Sequence, residues 1–439
     1  MNKRRVDLAL LIIYAIFLYP VVPGRFSMAC YLALYGIPLC YVFFHAPELN
    51  CLLGRLGILP SMLVLGLGFL LVASMSVPVL AGTHDFSYVN VIMAIARKLL
   101  IVSFLMLVTS SRCPGQDSAR LFMRYYVLAT CCYVASTCVF LAFPSLKETW
   151  IRFIGTSEYY DHLYSSYGYG ARFGWSGFSG YRTTLDCSIS IVFAMALSTS
   201  GDSSSNVGDF ELSVGLFTCF VGNLFYGRTG VIASAICIVI GLVFYRRVRI
   251  GQLLGLVLLA VGGYYAISVI KDNVSVVREW YDWATKPFVN LFNTGSFDNY
   301  SVNHILNDMI YMPEVDTLLH GDGWYTEPVT NLHYMHTDVG FMRQVLFWGA
   351  PLTLFAYLAT AGSILLLREF DRVMPLLFVV IFAVFEFKGE VFYELIPLAL
   401  VMFLVERSAA GKQAPRKGEP RQSWARMRSQ FALGGRKGF

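Results

Sequence analysis

Charge is scarce in this 439-residue chain: Asp, Glu, Lys and Arg together make up 14% of it, too little to solvate a globular surface. The ten cysteines include no CxxC pair and no matching histidine spacing, which leaves a zinc site or a dithiol redox centre without ligands. Most sit in apolar stretches, as Cys30, Cys40, Cys131, Cys132, Cys138, Cys219 and Cys237 do, and read as thiols that fill a core. There is no P-loop, no HExxH pair, no dinucleotide fingerprint and no internal repeat. Chemistry in this chain therefore does not rest on a nucleotide cofactor.

What is present is apolar bulk. Hydrophobic residues make up 56% and aromatics 15%, and the mean hydropathy is 0.58. A helix needs about 20 mostly apolar residues to cross a bilayer. Apolar runs between breakers predict spans near 8–23, 28–45, 58–80, 92–109, 121–143, 184–200, 210–226, 229–245, 251–269, 337–362, 373–386 and 389–405. The predicted fold class is all-α: a polytopic membrane protein of about 12 helices over residues 1–405. Lys3, Arg4 and Arg5 precede the first run as in a signal peptide, but Tyr19 to Met28 offers no small-residue cleavage site, so that run reads as a retained anchor.

Basic residues orient the chain. With both termini cytoplasmic, Arg55, Arg112, Arg120, the Arg246, Arg247 and Arg249 cluster, Arg368, Arg372 and the tail at 406–439 all fall inside, as the positive-inside rule requires. The formal charge of +6 owes much to that tail, which suits anionic membrane lipids better than nucleic acid. The same threading leaves two large external loops, near 144–183 and 270–336.

These loops carry the aromatics. Trp150, Tyr159, Tyr160, Tyr164, Tyr167, Tyr169, Phe173, Trp175 and Tyr181 crowd the first; Trp280, Trp283, Trp324, Tyr325 and Tyr334 lie in the second. Any single ring suits an interfacial aromatic belt as well as stacking on a sugar, but the clustering beside polar groups favours sugar. Cations left on the external side break the charge bias and need a reason. Arg228 interrupts an apolar hairpin at Tyr226-Gly227-Arg228-Thr229-Gly230, where a guanidinium can grip pyrophosphate bidentately or snorkel to headgroups. Arg172 and Arg182 flank a glycine-rich run that also holds Trp175. Arg97 and Lys98 lie within a span, and either binds phosphate or neutralises Glu386 or Glu390 near Lys388. Asp322 and Trp324 belong to a turn with a stacking residue.

The run from His333 to Arg343 opens a span and presents His336, Asp338 and Arg343 near the external surface. A sugar hydroxyl attacks only once its proton is taken, and either His336 or Asp338 has the chemistry to accept it. A helix-start carboxylate and a headgroup contact are the plain alternatives for these two.

Gly227-Arg228-Thr229-Gly230 between two spans, a long loop, then Gly321-Asp322-Gly323 and His336-Thr337-Asp338-Val339-Gly340 with Arg343 resembles the Wzy-type O-antigen polymerases. The resemblance covers the organisation of nearly the whole chain. It implies a GT-C-like fold shared with O-antigen ligases in the bacterial inner membrane. It also implies a metal-independent, inverting glycosyl transfer that joins undecaprenyl-diphosphate-linked oligosaccharides on the periplasmic face, with a chain-length regulator as a possible partner. By the same resemblance Arg172 and Arg228 stabilise the departing pyrophosphate and His336 or Asp338 serves the acceptor, with Arg182 and Arg343 in support; from their own place in the sequence Arg97, Lys388, Trp175 and Trp324 are expected on the substrate. One departure is that position 183, ten residues past Arg172 plus one, is Thr rather than the glycine of some members. The competing readings are an O-antigen ligase, a lipid-linked oligosaccharide flippase and a non-enzymatic assembly scaffold.

Overall fold

The computed structural model describes residues 7–54, 59–113, 117–155, 172–199, 209–245, single positions between 265 and 293, 303–328, 330, 332–365 and 373–391. The expected spans at 251–269 and 389–405 lie almost wholly outside these residues, as do the basic tail and Tyr159, Tyr160, Tyr164, Tyr167, Tyr169, Trp280 and Trp283. The described chain is mostly helical. Among the described residues three helices are long and apolar enough to cross a membrane by length and composition, Ser27–Phe44, Val89–Arg112 and Ser118–Ala142, alongside six shorter apolar helices.

In chain order the helices that frame the site are α1 (Leu8–Leu18), α2 (Ser27–Phe44), α3 (Ala46–Gly54), α4 (Leu59–Leu80), α5 (Val89–Arg112), α6 (Ser118–Ala142) and α7 (Pro144–Ile154). After the two-residue strands β1 (Phe173–Gly174) and β2 (Gly177–Phe178) come α8 (Tyr181–Thr199), α9 (Asp209–Tyr226), α10 (Arg228–Tyr245), α11 (Val315–His320), α12 (Gly340–Trp348), α13 (Ala350–Leu365) and α14 (Val373–Glu386). Asp7 starts α1 by accepting from the backbone N–H groups of Ala9 and Leu10 at 3.0 and 3.4 Å, and Asp117 starts α6 in the same way. Tyr125 Oη accepts from the Asp7 N–H, and Arg112 lies 3.9 Å from Asp7. The starts of α1 and α6 and the end of α5 therefore share one end of the bundle.

Helix α8 is its centre, packed on α6, α9, α10 and α14, with Thr183 to Met195 buried throughout. A helix shielded from lipid on all sides carries polar side chains only where each finds a partner. Thr184 donates to Asn223 Oδ1 at 2.8 Å, the Asn223 amide donates to Ser234 at 2.7 Å, and Ser190 donates to Thr130 at 3.0 Å. Asp186 accepts from Tyr126 at 2.5 Å and lies 3.8 Å from the Lys98 ammonium. Helix α2 is the opposite case. Only 11% of its apolar window is buried, with Phe43 and Phe44 turned outward, the pattern of a lipid-facing edge.

Two expectations change in detail. The stretch at 337–362 is two helices rather than one, because Gly349 takes a left-handed φ of 80° and the backbone of Leu319 and His320 packs where its Cβ would project. The expected loop at 144–183 contains helix at both ends: α7 buries Ile151 and Ile154 beside Phe140 and Phe173, and α8 already begins at Tyr181.

Candidate functional site

Three turns meet at the end of the bundle opposite Asp7. The β1–β2 hairpin is first, with Phe173 paired to Phe178. Its Ser179 N–H donates to the Arg172 carbonyl at 2.9 Å, and Tyr133 closes against it through Ser176 and Ser179 at 2.7 and 2.5 Å. Gly174 is required because the Tyr133 ring fills the space a Cβ would take. The second turn, Gly227 to Gly230, rests on α8. Thr184 Oγ1 also reaches the Gly227 carbonyl at 3.1 Å, and a Cβ at Gly230 would collide with Asn223 and Thr184. The third turn follows α14 and is keyed to α8 by Tyr181, whose hydroxyl donates to the Phe385 carbonyl.

These turns carry Arg172, Arg228 and Lys388. Burial, with Arg172 and then Arg228 nearby, holds the Lys388 ammonium below the usual lysine range, and Asp338 opposes the shift. Four residues singled out in the sequence, from four separate stretches, are thus electrostatic neighbours. Repulsion among three cations is unfavourable in isolation, and a polyanion placed among them relieves it.

The fourth contributor is the loop before α12. Met335 and His336 both adopt left-handed backbone, at φ 55° and 53°, a conformation that costs a bulky residue about 1–3 kcal/mol. The strain is held by surrounding bonds. Tyr334 N–H donates to the Tyr325 carbonyl at 3.2 Å, Thr337 Oγ1 donates to the Met309 carbonyl at 3.0 Å, and Thr326 bridges to His333. Asp85, ahead of α5, fixes the facing loop by accepting from the Tyr325 and Thr326 N–H groups at 2.7 and 2.8 Å. Partial burial opposes ionisation of Asp85, but these bonds and those from Ser87 outweigh it and lower its pKa.

The turn presents two histidine–carboxylate pairs: His333 Nε2 lies 3.8 Å from Asp338, and His336 Nε2 lies 3.5 Å from Glu327. Burial, reinforced by Arg343, holds the His333 imidazole below the usual histidine range, against the pull of Asp338. Arg343 itself is largely covered, its side chain 10% exposed. Its guanidinium lies 4.3 Å from the Tyr325 ring centroid and 3.5 Å from Glu390, and its Nε makes no hydrogen bond. Glu390 accepts from Tyr325 at 2.5 Å and from Gln344.

No protein-family model, no curated protein and no solved structure matches this chain. Its chemistry is read from its own residues.

Not every sequence candidate joins the cluster. Arg182 is exposed at the start of α8. Arg97 is exposed on α5, donating to the Met93 carbonyl at 3.3 Å with Tyr35 5.8 Å away. Its neighbour Lys98 meets Asp186 rather than Glu386 or Glu390. Glu386 instead accepts from Tyr357 and the Val391 N–H, both at 2.6 Å. Trp175 serves the scaffold: its indole donates to the Tyr19 carbonyl at 2.8 Å, and its own carbonyl accepts from Trp150 at 2.7 Å. Trp324 stacks on Tyr334 at 6.5 Å. Asp186, His333 and Glu327 were missed. The first was findable as a lone acid in an apolar run. Among the described residues no three His, Cys, Asp or Glu side chains gather into a metal-binding group.

Proposed function

We propose that this protein is an integral inner-membrane glycosyltransferase that joins undecaprenyl-diphosphate-linked oligosaccharide units into polysaccharide on the periplasmic face. The observation that carries the reading is that Arg172 and Arg228, from separate turns, both act electrostatically on Lys388, as Asp338 does with opposite sign. A lipid diphosphate leaving group is dianionic or more, and the negative charge on its bridging oxygen grows as the glycosidic carbon–oxygen bond breaks. Fixed cations at that oxygen are worth more in the transition state than in the ground state. Arg172 and Arg228 take the diphosphate oxygens through paired N–H donors, and Lys388 adds a point charge.

On the acceptor side, the His333–Asp338 run supplies groups able to receive the proton of a sugar hydroxyl. Attack from the face opposite the leaving diphosphate inverts the anomeric carbon. The test is reconstitution of the full chain in proteoliposomes with undecaprenyl-diphosphate-linked repeat units. A ladder of products in the wild type that is lost in Arg228→Ala supports the reading. Movement of units across the bilayer without a ladder, or capping of lipid A core, replaces it with the flippase or the ligase.

A further inference from the structure

Resting on that reading, we propose that His333 is the catalytic base for the acceptor hydroxyl, with Asp338 as its positioning residue, and that His336 stands outside the proton transfer. The two histidines are three residues apart on one strained turn, and they meet different carboxylates. His336 turns to Glu327 on the facing loop, 3.5 Å away. His333 turns to Asp338, 3.8 Å away, and Asp338 is the carboxylate that acts on Lys388 within the cation cluster. The chain of neighbours from the diphosphate cations therefore runs through Asp338 to His333.

With Nε2 directed at Asp338, the imidazole presents Nδ1 to the acceptor. In the reaction the acceptor O–H bond breaks and its proton moves to Nδ1. The oxygen forms a bond to the anomeric carbon as the carbon–oxygen bond to the diphosphate breaks, and that electron pair leaves on the lipid diphosphate. The imidazolium is stabilised by Asp338. Apo contacts of this kind commonly tighten in the substrate complex. The charged and titratable groups around His333 are Asp338 on its own run, Arg343 from α12, Glu390 behind Arg343, Lys388 across Asp338, and Glu327 with His336 on the opposite side. Burial, reinforced by Arg343, favours the neutral imidazole of His333, the form a base needs.

The experiment compares wild type, His333→Gln, His336→Gln and Asp338→Asn in proteoliposomes. It measures the saturated rate of ladder formation across pH and, separately, competition by undecaprenyl diphosphate for binding. His333→Gln should lose roughly 10²- to 10⁴-fold in rate, keep diphosphate binding and lack the acid limb of the pH profile. Asp338→Asn should move that limb to lower pH, because removing the anion disfavours the imidazolium. A larger loss in His336→Gln than in His333→Gln overturns the assignment, as does an acid limb that stays in place in His333→Gln or in Asp338→Asn. A wild type that binds the lipid diphosphate yet makes no ladder overturns the polymerase reading instead. A His333→Gln protein that no longer binds the diphosphate marks His333 as structural and also overturns the assignment.

Discussion

Lys98 and Asp186 face each other 3.8 Å apart between α5 and α8, each more than nine-tenths buried, with Tyr126 donating to the same carboxylate. Removing one member leaves a buried charge without this counter-ion, which costs about 3–5 kcal/mol, whereas replacing both by apolar groups is often neutral. Asp186→Asn or Lys98→Met alone should therefore lower the unfolding temperature in detergent by more than the double variant Lys98→Met/Asp186→Leu. Equal losses in all three would show that the pair contributes only through packing.

The turn that carries Arg228 has no room for a side chain at Gly230, where Asn223 and Thr184 already stand. Gly230→Ala is expected to cost about 1–3 kcal/mol through overpacking and to displace the guanidinium. Arg228→Lys leaves the turn intact but cannot offer the paired donors, and should slow ladder formation by roughly 10²-fold. Thermal unfolding separates the two, since only the glycine variant should be destabilised.

Trp175 gives a sharper division between scaffold and sugar contact. Trp175→Phe keeps an aromatic face but removes the donor to the Tyr19 carbonyl. An unsatisfied buried acceptor costs about 1–3 kcal/mol. A fall in stability with an unchanged KM for the glycolipid is expected. A raised KM at unchanged stability would return Trp175 to the substrate.

Among the described residues two amines are held low, Lys388 for the reasons given above and Lys147 on α7, pushed down to about 8 by burial, its ammonium 5.7 Å from the Phe173 ring centroid. An amine is nucleophilic only when deprotonated, so near pH 8 both should react with an acylating reagent faster than ordinary exposed lysines. Undecaprenyl diphosphate should protect Lys388 and leave Lys147 reactive. Quantifying the modified peptides by mass spectrometry reads both, and equal protection of the two would place the diphosphate elsewhere.

The helices were legible because in a bilayer length and apolarity are the controlling variables. The run at 121–143 reads against Ser118–Ala142, and the run at 229–245 against Arg228–Tyr245. The break at Gly349 was not legible, since it depends on the backbone of Leu319 and His320 packing against it from another segment. The site divides in the same way. Arg228 and Lys388 stood out as cations at the ends of apolar runs. The choice between His333 and His336 turns on which carboxylate each ring meets in the folded chain, which no spacing rule encodes. Lys98 stood out as an intramembrane charge and Asp186 did not, and only the folded structure pairs them.

Gly340 starts α12 against the Glu386 carboxylate and the Gly389 carbonyl, and Gly389 in turn lies under the Tyr181 ring, with no room for a Cβ at either position. A side chain at one of these glycines is admissible only if the opposing segment withdraws. Positions 181, 340 and 389 are therefore a single unit of variation: related sequences should change them together or not at all, however freely the flanking apolar residues drift.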